Sequence, residues 1–124
     1  MPKDINERTY QFALQVVEFC LGLPNTVVSR TLAKQLLRAG TSIGANVEEA
    51  NSAHSHDDFV YKMGIALREA RQTHYWLRLI CDSRLTKSEK VAGLIDEGEQ
   101  LKKILGAITS KARGKSKPKQ GVSR

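Results

Sequence analysis

One short polar segment of the chain carries side chains that could bind a metal ion. His54, His56, Asp57 and Asp58 lie within five consecutive positions, and imidazole and carboxylate groups are typical zinc ligands. The alternative is that both aspartates belong to the first turn of a helix, where the helix dipole favours negative charge, with the histidines in a polar loop. We favour the second interpretation because the next position, Phe59, is not a ligand, so we predict no metal and no cofactor.

The remaining sequence contains no arrangement that indicates catalysis. Glu48 and Glu49 are adjacent, so on a helix they point roughly 100° apart and cannot face each other as paired carboxylates do. The chain has no glycine-rich phosphate loop, no Ser/His/Asp or Cys/His arrangement and no C-x-x-C pair. We therefore expect a protein that is not an enzyme.

Arginines at helical spacing are the best candidates for a binding site. On a helix, Arg68, Arg71, Tyr75 and Arg78 fall within a sector of roughly 80°. Arginines interleaved with an aromatic ring suit phosphate contacts combined with base stacking. This strip predicts a surface that binds RNA or DNA.

A second basic strip precedes it in the chain and consists of Arg30, Lys34 and Arg38. Both strips could equally be ordinary solvated helix faces, partly offset by acids such as Glu69. In an oligomer each strip would be repeated around the assembly and the fields would add. Self-assembly therefore favours the nucleic-acid interpretation.

The net charge of +7 belongs mostly to the C-terminal end of the chain. Residues 1–110 contain fourteen basic and thirteen acidic residues, a net charge of only +1. Residues 113–124 have almost nothing apolar to bury, so we expect them to form a disordered tail that either aids solubility or binds a polyanion. The basic residues after position 110 are Lys111, Arg113, Lys115, Lys117, Lys119 and Arg124.

Length and composition indicate one globular domain. The 124 residues are 40% hydrophobic and 27% charged, which is usual for a protein with a single core. No apolar run approaches the ~20 residues that cross a bilayer, and the polar start does not look like a signal peptide. Cys20 and Cys81 lie on apolar stripes and are expected to be buried, reduced thiols. We expect a cytoplasmic protein with no membrane partner.

Apolar residues recur every three to four positions in four segments, which predicts four helices. The first spans residues 4–21, and the second opens after Thr26. Ser55 is expected to cap the third helix, and Thr86 to cap the fourth in a capping box. Because the connections are short, the expected fold is an all-α, antiparallel up-down four-helix bundle over residues 1–112.

The first helix is apolar over an arc of roughly 220°, about twice the width that one core face needs. One stripe, which includes Tyr10, Leu14 and Val17, is expected to face the core. The second stripe would then face another subunit, together with residues outside the main seam of the third helix, because soluble monomers rarely expose so much apolar surface. The predicted oligomer interface consists of Phe12, Val16, Phe19, Leu23, Tyr61, Ile65, Trp76 and Leu79.

Three segments of helices two and three resemble a known family. They read SIGANVEEA at 42–50, SHDDF at 55–59 and IALREARQTHYWLRL at 65–79. This pattern resembles the bacterial four-helix bundle family of 23S rRNA intervening-sequence proteins, historically labelled "ribosomal protein". The accessory variability proteins of diversity-generating retroelements are more distant relatives. The resemblance spans about residues 8–112.

The resemblance implies a homopentameric ring of bundles, with no known catalytic activity and no cofactor. The accessory relatives are associated with nucleic acid and a reverse transcriptase through basic surfaces. Two functions remain open at this point. The chain is either a nucleic-acid-binding homo-oligomer or an oligomeric scaffold that docks a protein partner.

Overall fold

The structure is a computed structural model that describes residues 5–122, with side chains as far as residue 114. The described residues form four helices and no strands, namely α1 (Ile5–Leu21), α2 (Val27–Asn51), α3 (His56–Asp82) and α4 (Ser88–Val122). The predicted all-α fold with four helices is confirmed. Over the same residues, no helix is both long and apolar enough to span a membrane.

Side-chain caps fix where α2 and α3 begin. Thr26 precedes α2 in extended backbone, and its hydroxyl accepts a hydrogen bond from the Ser29 amide at 3.1 Å. Ser55 precedes α3 in the same conformation and accepts from the Asp58 amide at 3.1 Å. Each cap satisfies an amide that the first turn of a helix leaves without an intrahelical partner.

α4 begins later than predicted. Its first residue is Ser88, so the position that precedes the helix is 87, and the expected cap Thr86 lies one residue earlier. At its other end α4 runs to Val122. The division into a bundle over residues 1–112 and a disordered tail over residues 113–124 stays a prediction.

The hydrophobic core lies between the four helices. Burying one large apolar side chain stabilises a fold by about 1.5–3 kcal/mol, and every helix contributes several. The largest fully buried apolar side chains include Phe12 of α1, Leu36 and Ile43 of α2, Met63 and Leu77 of α3, and Leu101 and Leu105 of α4.

Polar contacts join neighbouring helices at their ends and along their sides. The Asn51 amide at the end of α2 donates to the Asn6 side chain at the start of α1 at 2.6 Å. Arg8 of α1 donates two hydrogen bonds to the Glu97 carboxylate of α4, at 2.8 and 2.9 Å. This bidentate pair bridges the two adjacent helices that touch each other least.

The rotation of α1 is the reverse of the predicted one. Phe12 and Val16, predicted to face another subunit, are only 1% and 0% exposed and lie in the core. Phe19 and Leu23 are half-buried against the same core. The predicted interface is therefore wrong at Phe12 and Val16. The stripe expected in the core is instead exposed to solvent, at Tyr10, Leu14, Val17 and Leu21.

Two glycines of α2 accommodate this rotation. A Cβ atom at Gly40 would lie 3.0 Å from both Cγ atoms of Val16, and one at Gly44 would lie 3.3 Å from the Thr9 carbonyl oxygen. Thr9 can be buried there because its hydroxyl donates to the Ile5 carbonyl at 2.8 Å. The glycines therefore allow α1 to approach α2 closely with this stripe.

Substitution of Gly40 tests this close approach. Gly40→Ala should lower the free energy of unfolding by about 1 kcal/mol, because an overpacking cost of about 1–3 kcal/mol exceeds the ~1 kcal/mol gain in helix propensity. Gly93→Ala is the matched control, because a Cβ at Gly93 would meet nothing within 4 Å; it should raise that free energy by up to about 1 kcal/mol. Urea denaturation measures both, and a Gly40→Ala protein as stable as Gly93→Ala would exclude the packing explanation.

Candidate nucleic-acid interface

The four residues of the first basic strip lie together on the outer side of α3. Arg68, Arg71 and Arg78 are exposed, and Tyr75 is 50% exposed. Within the described part of the chain, no carboxylate lies within 4 Å of the three guanidinium groups. We call these four residues the arginine face. Its guanidinium groups are free to bind anions.

An aromatic contact orients Tyr75 within the arginine face. The Tyr75 and Trp76 rings meet edge to face, with centroids 5.1 Å apart and planes at 77°. Trp76 itself is half-buried against the core, and Ile65 and Leu79 are also half-buried. These three residues of the predicted oligomer interface therefore have only part of their surface available for contact with another subunit.

A groove between α3 and α4 extends the arginine face toward the start of α3. Arg68 and Arg71 line it from α3, and Arg113 lines it from α4. A Cβ atom at Gly64 would lie 3.4 Å from Nη2 of Arg113, so the guanidinium of Arg113 reaches across to the bare surface of α3. The sequence pattern assigned Arg113 to a tail and did not identify this groove, because the groove arises from contact between two helices.

Tyr61 also lines this groove and is 65% exposed. We predicted it as a contact with another subunit, but its spacing of seven residues from Arg68 places both on one side of α3. Asp57 lines the groove at the start of α3, and its carboxylate reduces the positive potential at that end. Lys111 is exposed on α4, whereas the side chains of Lys115, Lys117 and Lys119 lie outside the described ones.

The second basic strip does not act as one surface. Arg38 donates to both oxygens of Glu69, at 3.2 and 3.3 Å, and to the side-chain oxygen of Gln72 at 2.8 Å. Glu69 is 6% exposed, and a buried carboxylate needs such a partner. Arg38 is therefore engaged within the fold, which leaves Arg30 and Lys34 exposed beside a shallow depression.

The histidines near the start of α3 do not form a metal centre. His54 is exposed, and the ring of His56 lies 2.8 Å from the Ala112 carbonyl oxygen, which links α3 to α4. Over the described residues, no group of three or more His, Cys, Asp or Glu side chains could hold a metal ion.

A second polar contact between α3 and α4 involves His74. Burial lowers the pKa of His74 and the nearby Lys102 lowers it further, although Glu99 partly opposes this. The Nε2 atom of His74 lies 3.3 Å from a carboxylate oxygen of Glu99, which brings α3 and α4 together at this point. Lys102 holds the same carboxylate at 2.9 Å, which keeps the pKa of Glu99 low.

The two cysteines are free and half-buried. Burial raises the pKa of Cys20 to about 11, so its thiol stays protonated at neutral pH. Because the thiolate is the nucleophilic form, Cys20 is a packing residue rather than a reactive group.

One hydroxyl at the groove lacks a hydrogen bond. Thr109 lines the groove and is 1% exposed, and its Oγ1 atom has no partner among the described residues. A buried polar group without a partner costs about 1–3 kcal/mol. Ser29, on α2 and not among the groove-lining residues, has the only other such hydroxyl in the described part of the chain.

Replacing the Thr109 hydroxyl with a methyl group should therefore stabilise the free protein. Thr109→Val is expected to raise the free energy of unfolding by about 1 kcal/mol, since it removes an unpaired polar group without changing the volume. Thr73→Val is the control, because the Thr73 hydroxyl donates to the Glu69 carbonyl at 2.7 Å; it should lower that free energy by about 1 kcal/mol. Thermal and urea denaturation give both values, and a Thr109→Val protein as destabilised as Thr73→Val would mean that the Thr109 hydroxyl is hydrogen-bonded in the free protein.

These observations define a class of protein, a helical bundle of four helices with one arginine-rich helix face. The chain matches the family model described as 23S rRNA-intervening sequence protein over residues 3–107. The protein therefore belongs to the 23S rRNA-intervening sequence protein family, as the motifs in α2 and α3 indicated.

A solved structure from Bacteroides thetaiotaomicron has a similar fold. It is a protein of unknown function from the S23 ribosomal protein family, with 34% sequence identity and a TM-score of 0.76. The comparison covers 85% of this chain and 97% of that one. Among curated proteins, none matches this chain.

Proposed function

We propose that this protein is a non-enzymatic, homo-oligomeric bundle that binds RNA or DNA through the arginine face. The observation that carries the proposal is that Arg68, Arg71 and Arg78 lie on one exposed side of α3 without a carboxylate within 4 Å among the described residues. Arg38, in contrast, is paired with the carboxylate of Glu69. Unpaired guanidinium groups spaced along a helix suit a row of phosphates.

Tyr75 supports nucleic acid over other polyanions. Its ring lies between Arg71 and Arg78 in the strip and is half-exposed. Stacking of a base on an aromatic ring contributes about 1–3 kcal/mol. An exposed base therefore gains an interaction that a polyanion without aromatic groups does not. Single-stranded regions of a structured RNA are the ligand that fits best.

Charge reversal on the arginine face tests this proposal. Fluorescence anisotropy with a labelled hairpin RNA and a duplex DNA should give an affinity that falls roughly 10–100-fold between 50 and 200 mM salt, as expected for about three phosphate contacts. Arg71→Glu/Arg78→Glu should weaken binding at least about 10-fold. The control is Lys87→Glu/Lys90→Glu, which makes the same charge change at exposed sites near the start of α4, where the helix dipole tolerates acids.

Two outcomes would contradict the proposal. Absence of binding at the lower salt concentration would exclude a nucleic-acid function. Equal weakening by the control would mean that overall charge, and not the arginine face, determines the affinity.

We also propose that the chain assembles with itself, in a pentameric ring as the family resemblance implies. The exposed apolar stripe of α1 supports this assembly, and we infer that it replaces Phe12 and Val16 as the contact surface. Tyr10, Leu14, Val17 and Leu21 share a sector of roughly 60°, and Leu21 is 81% exposed. Such a continuous stripe is costly to leave in water. We infer that the helices follow an antiparallel up-down order within each subunit, which is supported by the contact between the start of α1 and the end of α2.

Substitution of Leu14 tests the self-assembly. Light scattering coupled to size exclusion should give about five times the chain mass of 13.8 kDa for the parent protein and a smaller species for Leu14→Glu. Gln15→Glu is the matched control, because it introduces the same side chain at the neighbouring exposed position on the polar side of α1. Its mass should equal that of the parent.

The main alternative function is a scaffold that docks a protein partner. The same stripe favours it, because an apolar helix face can take a partner helix as well as a second copy. A parent protein with the mass of one chain would contradict self-assembly and leave the α1 stripe to such a partner. A cytoplasmic location suits either function.

A further inference from the structure

The groove between α3 and α4 has the shape of a ligand site. Gly64 and Gly106 lie along it from α3 and α4, and their lack of side chains leaves space between the two helices. Its volume is about 1170 Å³, larger than the ~300–1,000 Å³ of most small-molecule sites. It is an open channel along the bundle rather than a closed pocket, so a ligand can extend beyond it.

Three guanidinium groups give this groove its chemistry. Arg68 and Arg71 line it from α3 and Arg113 from α4, so positive charge lies on both sides. No carboxylate of the described residues lies within 4 Å of these groups. Asp57, the one acid among the lining residues, is eleven positions before Arg68, roughly 16 Å along the helix axis. Arg68 and Arg71 are therefore remote from this carboxylate. Arg113 directly follows Ala112, whose carbonyl contacts His56, so Asp57 lowers the positive potential mainly at the Arg113 end of the groove.

Two further lining residues indicate what kind of anion fits. The Tyr61 ring is 65% exposed beside the groove, and an exposed ring can stack on a base. The Thr109 hydroxyl lines the groove and has no partner among the described residues, and a water or an anion is one way in which such a group is completed. Arginines, an aromatic ring and a hydroxyl together match a phosphate that carries an adjacent base.

We propose that the groove between α3 and α4 is a nucleotide site, in which Arg68, Arg71 and Arg113 hold one phosphate and Tyr61 stacks on the neighbouring base. The Thr109 hydroxyl completes the phosphate shell directly or through one water molecule. The inference rests on the proposed nucleic-acid function, since Arg68 and Arg71 belong to both surfaces. The nucleotide is either one unit of a bound RNA or a free nucleotide, because both present the same phosphate and base.

Calorimetric titration of the full chain with AMP, adenosine and inorganic phosphate tests the site. AMP should bind, inorganic phosphate should bind more weakly because it lacks a base, and adenosine should not bind. Arg113→Gln should lower the affinity for AMP at least 10-fold. Arg113→Lys should lower it less, because lysine keeps the positive charge but loses the bidentate N–H donors of the guanidinium group. Lys87→Gln, which removes one positive charge outside the groove, should leave AMP binding unchanged.

Two variants test the supporting residues separately. Tyr61→Leu should weaken AMP about 5-fold or more while leaving inorganic phosphate unchanged, because only the base stacks. Thr109→Val should lower the affinity for AMP and for inorganic phosphate about 3-fold or more. Ser29→Ala removes the other unpaired hydroxyl and should leave both affinities unchanged. Circular dichroism of each variant establishes that the helices are intact.

The same variants with labelled single-stranded RNA separate the two sources of the nucleotide. If Arg113→Gln binds RNA more weakly, and if AMP competes with RNA for the parent protein, the groove holds one nucleotide of a bound RNA. If AMP binding depends on Arg113 but the protein does not bind RNA, the groove is a site for a free nucleotide. The proposed nucleic-acid function would then be wrong. A third outcome is RNA binding that does not change in Arg113→Gln, together with no AMP binding up to about 10 mM. It would contradict the nucleotide site in the groove but not the proposed binding of nucleic acid by the arginine face.

Discussion

The close contact between α1 and α2 at Gly40 and Gly44 sets the arrangement on which the rest of the structure depends. Side chains on α2 at these two positions would be in tighter than ordinary contact with Val16 or with the backbone of Thr9. With glycine there, α1 lies close against α2 with the stripe of Thr9, Phe12 and Val16 facing inward. Close packing gains dispersion energy from many small contacts, so this one rotational setting of α1 is strongly preferred.

This setting decides which surfaces remain for function. α1 packs on α2 and α4, and α3 packs on the same two helices, whereas the backbones of α1 and α3 do not approach each other over the described residues. The two helices therefore lie diagonally across the bundle. Turning Phe12 inward exposes the apolar stripe of α1 on one side, and the arginine face of α3 lies on the other. A bundle arranged in this way can use its apolar side for assembly while its arginines remain accessible.

The helices and their order could be predicted from the sequence, because the spacing of apolar residues and the caps at Thr26 and Ser55 are local signals. The rotation of α1 could not. Both of its stripes are apolar, so periodicity alone does not distinguish Leu14 from Phe12. A signal was nevertheless present: Thr9 and Val16 carry compact side chains two turns apart on the inward stripe, and they lie against the two glycines of α2. This signal can be recognised only when α1 and α2 are considered as a packed pair, because the periodicity of one helix gives no information about its neighbour.

The arginine face was found for the same local reason, since Arg68, Arg71, Tyr75 and Arg78 recur at helical spacing. The groove could not be predicted in this way, because Arg113 is forty-two positions from Arg71 in the chain and meets α3 only through the packing of α4. The same limit explains Arg38. Its sequence position predicts an exposed strip with Arg30 and Lys34, but its guanidinium balances the buried carboxylate of Glu69.

Arginines on this protein therefore differ in role although they share one chemistry. Residues 1–110 carry a net charge of only +1, so attraction of a polyanion to the body depends on where charges lie rather than on how many there are. Exposed charges act over about one Debye length, roughly 8–10 Å in physiological salt. Arg8 and Arg38 are neutralised within that distance by Glu97 and Glu69, which keeps their positive potential local. The acids are thereby placed against the helices they stabilise. Four guanidinium groups without such a partner among the described residues lie along α3 and its groove with α4, namely those of Arg68, Arg71, Arg78 and Arg113. A nearly neutral bundle can in this way present one surface to phosphates without binding polyanions everywhere.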